Sequence, residues 1–261
     1  MITAQQITQY QDEGVVVLRG VFGDWIKSLN QGADENVANP SSRAITHQSA
    51  DKKGRFFEDF CNWQRIPQYK EFVEHSPMAE IAAALMGSQQ VQFFHDHYLD
   101  KAAVSGVATP WHQDMPYYFV QGQQHVSFWI PLDSRSAHVS LKCVAGSHKW
   151  PKLVRPTKWS GNTDFYTDSS QFMDLPDIDN GDFLIRSEAV EPGDVVAFNF
   201  KTVHGANANT VNTSSRTLSF RLVGDDARYI QRPGNTSPNY PNINQSSGER
   251  LREDWFPIIY G

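Results

Sequence analysis

The chain holds one set of side chains whose types and spacing suit a catalytic metal ion. His112-Gln113-Asp114 places an imidazole and a carboxylate two positions apart. On a strand, positions i and i+2 share a face, so both groups would enter the same space, roughly 6 to 7 Å apart at the backbone. Chance alone supplies such a pair in a chain this rich in His and Asp, so the pair gains meaning only with a third ligand. His204 offers one. It follows the turn Glu191-Pro192-Gly193-Asp194, in which Pro presets φ and Gly supplies positive φ, and then the strand-like run Val195 to Phe200. Two imidazoles and one carboxylate form the facial triad that leaves positions open on Fe(II), as binding of a co-substrate and dioxygen requires.

Arg216 opens the run RTLSFRLV, where Arg216, Leu218, Phe220 and Leu222 share one face and Arg221 lies on the other. A guanidinium on a mostly apolar face is costly unless an anion pairs with it. An anion, from a ligand or from a buried Asp or Glu, is therefore expected at Arg216. His95 and His97 flank Asp96 on one strand face and read as polar groups of a pocket or satisfied core histidines, with a second metal site as the sharper alternative. Trp111, Tyr117, Tyr118 and Phe119 crowd the HxD run; most read as core, and one or two could line a substrate cavity. Lys101 has no apolar reason to sit where it does and reads as solvated. Gly146-Ser147-His148 reads as a turn with a locally bonded His148. The acidic stretch of Asp174, Asp177, Asp179 and Asp182 lacks the spacing of a calcium loop.

The elements that must carry these groups follow from texture. From about residue 91, short runs rich in Val, Phe, Tyr and Trp alternate with Gly, Pro, Asn and Asp (VQFFHDHYL, HVSFWIPLD, HVSLKCV, DVVAFNF), the pattern of a β-sandwich or barrel. Residues 1–88 read as helical with short extended pieces. Thr3 caps a helix over Ala4 to Asp12 that Gly14 ends, Val15 to Leu18 is strand-like, and Pro77 to Leu85 is a helix stopped by Gly87. The expected fold is mainly β with α: a double-stranded β-helix, the jelly roll of cupin-like proteins, with N-terminal helices packed on one sheet. One domain over 1–261 accommodates this, with a core over 89–225, an excursion or lid over 150–190, and a Pro/Asn/Ser-rich tail over 226–261 wrapping the surface.

Composition narrows the function classes. The 261 residues carry 23 Lys and Arg against 29 Asp and Glu, a formal charge of −6. Without basic blocks, this argues against a nucleic-acid or anionic-membrane surface. The longest plainly apolar run, Ile81 to Met86, is far too short to span a bilayer. Neither a basic nor an apolar segment marks the N-terminus as a secretory signal. The two cysteines, Cys61 and Cys143, make neither a disulfide framework nor a thiolate metal site. A cytoplasmic enzyme with a small-molecule substrate is expected; the sequence leaves its oligomeric state open.

The succession WHQD, WIPLD, AGSH, PGDVVAF, HG and a strand-borne Arg, over roughly 90 to 235, resembles the phytanoyl-CoA dioxygenase (PhyH-like) family of Fe(II)/2-oxoglutarate-dependent oxygenases. The resemblance implies that His112, Asp114 and His204 ligate iron and that Arg216 binds the distal carboxylate of 2-oxoglutarate. It also implies that Trp129 lines the co-substrate pocket. Many members carry paired arginines where this chain has Ser215-Arg216, and Arg221 stands as the alternative anchor. The family includes halogenases in which a small residue replaces the carboxylate; Asp114 disfavours that branch. The implied reaction is hydroxylation of a small molecule, with O2 and 2-oxoglutarate converted to succinate and CO2. Tyr117, Tyr118 and His97 are candidate substrate contacts. A cupin-like isomerase or dioxygenase that does not use 2-oxoglutarate is the alternative, and a non-catalytic binding module is the third possibility.

Overall fold

Thr3 and Gly14 bound the first element as their chemistry dictates. The Thr3 hydroxyl accepts from the Gln6 amide while the Gln6 side chain accepts from the Thr3 amide, and Gly14 ends the helix at φ 75°. In the computed structural model, which describes residues 2–48, 55–103, 107–158, 163–209 and 212–261, this helix is α1 (Ala4–Glu13). It leads into β1 (Val15–Leu18), α2 (Ile26–Ala38), β2 (Ile45–Gln48), β3 (Arg55–Phe60), α3 (Pro67–His75), α4 (Met78–Met86) and β4 (Val91–Lys101). There follow β5 (Thr109–His112), β6 (Val120–Gln121), β7 (His125–Pro131), β8 (Leu141–Val144) and β9 (Ile185–Arg186). The last strands are β10 (Val195–Phe198), β11 (His204–Ala206), β12 (Ser215–Val223), β13 (Arg228–Tyr229) and β14 (Ile258–Tyr260).

Two antiparallel sheets make the jelly roll. The large one runs β1-β10-β7-β12-β4-β3-β2, with β14 also paired to β4; the small one runs β5-β11-β8-β9. The extended pieces of the N-terminal third are thus sheet strands. β1 adds to β10 and β3 to β4. The helices cover the outer face of the large sheet.

β12 shows how that face is built. Its residues Leu218, Phe220 and Leu222 are fully buried in the main core cluster together with Phe72 of α3 and Leu85 of α4. The Phe220 ring packs against Phe72 at 4.9 Å and edge-on to Tyr69 at 6.3 Å. Burying each such side chain stabilises the fold by about 1.5–3 kcal/mol. A second cluster, including Phe94, Met115, Phe119, Phe200 and Phe256, lies apart from the main core.

Candidate active site

His112 ends β5, and His204 begins β11. The two strands pair antiparallel with His204 opposite His112, which brings the imidazole centroids to 4.2 Å. Gly205 permits the approach: a Cβ there would lie 2.9 Å from the Thr109 carbonyl oxygen. Asp114 does not sit on the strand, as the i, i+2 pattern suggested. The strand stops at His112, and Asp114 (φ −74°, ψ −42°) begins a single 3-10 turn over Met115–Tyr117 that brings its carboxylate back to the histidines. Between them Gln113 turns away and secures the corner, donating to the Lys201 carbonyl at 2.5 Å and accepting from the Val154 amide at 2.7 Å.

Second partners fix both imidazoles. His112 Nδ1 bonds to the Pro110 carbonyl at 2.8 Å and His204 Nδ1 to the Thr202 carbonyl at 2.9 Å. Since a carbonyl only accepts, each Nδ1 carries the proton and each Nε2 keeps a lone pair, the tautomer a metal ligand needs. Those Nε2 atoms stand 3.6 and 3.7 Å from Asp114 Oδ1. Among the described residues, this is the one group of three or more His, Cys, Asp or Glu whose ligand atoms all lie within 4.8 Å of one another. Two neutral imidazoles and a carboxylate suit a borderline divalent ion such as Fe(II).

The electrostatics agree with that use. Burial works to raise the Asp114 carboxyl, but Arg221 and the imidazoles outweigh it and hold the group well below the usual carboxylate range. The Arg221 Nη2 lies 3.4 Å from Asp114 Oδ2. Burial, reinforced by His112, pushes His204 down to about 3, so it stays neutral.

All three residues line a cavity of about 330 Å3 between the sheets. Phe56, Phe60, Leu99, Trp111 and Phe165 make much of its wall. At one side the buried Glu58 carboxylate accepts from His47 Nε2 at 2.8 Å and from His97 Nε2 at 2.9 Å. Part of the 150–190 stretch covers the cavity through Thr157, Lys158 and Phe165; residues 159–162 lie outside the described residues. Tyr117 ties this cover down, its hydroxyl donating to the Thr157 carbonyl at 2.8 Å and accepting from the Thr157 amide at 3.0 Å.

The expected anchor Arg216 is not in the cavity. It leaves β12 on the face that packs against α2, where its Nη2 donates to Asn30 at 2.7 Å and pairs with Asp133 at 3.3 Å, while Nη1 pairs with Asp34 at 3.2 Å. The alternation along β12 is as expected, but its apolar face is the one under the helices. The polar face, Ser215, Thr217, Ser219 and Arg221, lines the cavity. Trp129, Tyr117, Tyr118 and His97 line it too, Tyr118 with its ring 5.9 Å beneath the Arg221 guanidinium. His148 bonds to the distant Gln11 carbonyl at 3.2 Å, not locally. Glu58, Lys101 and Arg135 also face the cavity. Nothing in their spacing announces them, although Lys101 stood out as a charge without reason on its strand.

A jelly roll whose sheets enclose a His-Asp-His set beside a cavity defines a mononuclear non-haem metal enzyme. The family model described as Phytanoyl-CoA dioxygenase (PhyH) matches residues 10–217, and this chain belongs to that family. It is an oxidoreductase of the dioxygenase type, with iron and 2-oxoglutarate as its cofactors. The probable phytanoyl-CoA dioxygenase of Caenorhabditis elegans is 22% identical over 90% of this chain and 80% of its own length. Among solved structures, the epimerase SnoN from nogalamycin biosynthesis, crystallised with Fe3+, alpha ketoglutarate and nogalamycin RO, shares the fold at TM-score 0.75 and 19% identity. It covers 98% of this chain and 97% of its own. The carbocyclase SnoK from the same biosynthesis superposes with TM-score 0.75 at 20% identity, over 98% and 96% of the two chains. No helix among the described residues is long and apolar enough to cross a membrane.

Proposed function

We propose that this chain hydroxylates a small organic molecule at a ferrous ion held by His112, Asp114 and His204. The observation that carries the reading is the convergence of both Nε2 atoms on Asp114 Oδ1, at 3.6 and 3.7 Å, in the wall of a covered cavity. A ferrous ion held by His112, Asp114 and His204, together with 2-oxoglutarate, would supply the oxidising power for placing one oxygen atom of O2 into a C–H bond, with succinate and CO2 as co-products. The protein's own residues do the rest. The Pro110 and Thr202 carbonyls hold the ligand tautomers, and Arg221 keeps Asp114 charged and turned toward the histidines. Trp129 supplies a flat wall. Tyr117 and His97 face the substrate space, Tyr118 supports Arg221, and Thr157, Lys158 and Phe165 on the covering side exclude water from the reacting centre.

Two measurements test this. Anaerobic addition of 2-oxoglutarate to the ferrous protein is expected to produce a visible charge-transfer band. A succinate-release screen against a metabolite library is then expected to yield a product one oxygen atom heavier than its substrate. A product of unchanged mass would mark an epimerisation, and the loss of two hydrogens a ring closure; either would overturn hydroxylation while keeping the metal site. Absence of the band with the ferrous ion bound would overturn the reading altogether.

A further inference from the structure

Two cations in the cavity have no role in holding the metal. Lys101 is the last residue of β4, Arg135 lies in the loop after β7, and both line the cavity. Neither has a carboxylate within ion-pair distance among the described residues. The Lys101 Nζ donates to the Thr109 hydroxyl at 2.9 Å, and Arg135 Nη2 donates to the Arg216 carbonyl at 2.6 Å. Arg135 is only 8% exposed, its Nε has no partner, and its guanidinium lies 4.7 Å from the centre of the Trp129 ring.

The nearby acids are engaged elsewhere: Asp100 with Arg55 at 2.6 Å and Asp133 with Arg216 at 3.3 Å. Burial, with Arg135 adding to it, brings the Lys101 ammonium down to about 8, so the two cations sense each other. Uncompensated buried charge is expensive, and two like charges facing one space call for an anion between them. β12 contributes two hydroxyls to the same cavity, Ser215, paired opposite Lys101, and Thr217.

We propose that Lys101 and Arg135, with Ser215 and Thr217 beside them, bind the carboxylate of 2-oxoglutarate that lies remote from the metal. This rests on the 2-oxoglutarate dependence above and assigns the anchor to the end of β4 and the loop after β7, outside β12. Arg216 points away from the cavity. Arg221 stands 3.4 Å from Asp114, so an anion bonded to it would lie against a metal ligand rather than a carbon chain's length away. The remote carboxylate would take charge-assisted hydrogen bonds from both cations, and the fork of Arg135 suits it bidentately.

The test is calorimetric binding to Mn(II)-loaded protein without oxygen, comparing 2-oxoglutarate with pyruvate, which keeps the keto-acid head but lacks the remote carboxylate. The parent is expected to prefer 2-oxoglutarate strongly. Arg135→Leu and Lys101→Met should each weaken 2-oxoglutarate by about 10- to 100-fold and leave pyruvate unchanged. Arg135→Lys should keep part of the preference, and Arg216→Leu all of it. Should Arg135→Leu not fold, Lys101→Met and Arg135→Lys carry the same comparison. An undiminished preference in the Lys101 and Arg135 variants, or its loss only in Arg221→Leu, would overturn the assignment and leave the oxygenase reading standing. Failure of the parent to bind 2-oxoglutarate would overturn both.

Discussion

His112 and His204 face each other across the β5–β11 pair, and each bonds its Nδ1 to the carbonyl of the residue two positions before it. The two ligands therefore share one local solution: the backbone carbonyl two residues back fixes the tautomer, and cross-strand register fixes the separation. Loss of either ring removes a ligand that neighbouring residues do not replace.

His112→Ala or His204→Ala is thus expected to weaken divalent-metal binding by about 100-fold or more, beyond the 10- to 100-fold that losing an outer partner usually costs. A metal titration with thermal melting as a folding control measures it. Parent-like affinity in both variants would remove these residues from the metal site.

Arg216 joins β12 to α2 and the Asp133 loop, so its loss is a stability effect. Arg216→Leu should destabilise the protein by about 0.5–1 kcal/mol, the usual worth of partly exposed ion pairs, with metal affinity unchanged. Denaturant unfolding and metal titration of one preparation check both halves. A weakened metal site would show that the residue reaches the cavity.

How much of this could be read from the chain alone divides along a physical line. The Thr3 and Gly14 caps, the strand-length runs and the His112, Asp114 and His204 set were all legible, because each depends on local chemistry or short spacing. The facing of β12 was not. Alternation states which residues share a face, and only the packing of Leu218, Phe220 and Leu222 under the helices decides that the other face meets the cavity. Arg135 and Glu58 were hidden for a related reason: they meet the site through sheet register and loop path, and neither leaves a spacing signature. Asp114 reached its expected neighbours by a turn rather than a strand.

Stability should fall on mild acidification of the metal-free protein. Burial is the first cause of depressed basicity at five imidazoles: His125 and His204 are taken down to about 3, and His95, His97 and His148 also lie below the ordinary value. Unfolded, they titrate near about 6.5. Below that pH the unfolded chain binds protons that the native state refuses, so stability is lost from there toward the folded values, by up to about 1.4 kcal/mol per group per pH unit. Burial raises Asp96 to about 6 and also raises Asp100, and these work in the opposite sense below pH 6. Five groups outweigh two. A melting temperature at pH 5 equal to or above that at pH 7.5 would contradict this balance.

Tyr117→Phe removes the two hydrogen bonds that hold Thr157 over the cavity. Amide exchange at Thr157 is expected to quicken by about fivefold, the equivalent of roughly 1 kcal/mol, and metal affinity should not move. Hydrogen-exchange mass spectrometry over 154–158 reads it. Unchanged exchange there would mean that other contacts hold the cover.

Sandwiched between β4 and β7, β12 cannot slide, so its two rows of side chains evolve under separate rules. Substitutions at Ser215, Thr217, Ser219 or Arg221 can redraw what the enclosed space accepts while the hydrophobic interior stays whole. A one-residue insertion would exchange the rows, sending phenylalanine toward the iron and serine beneath the helices. Diversification along this strand should therefore proceed by replacement at alternate positions, never by change in length.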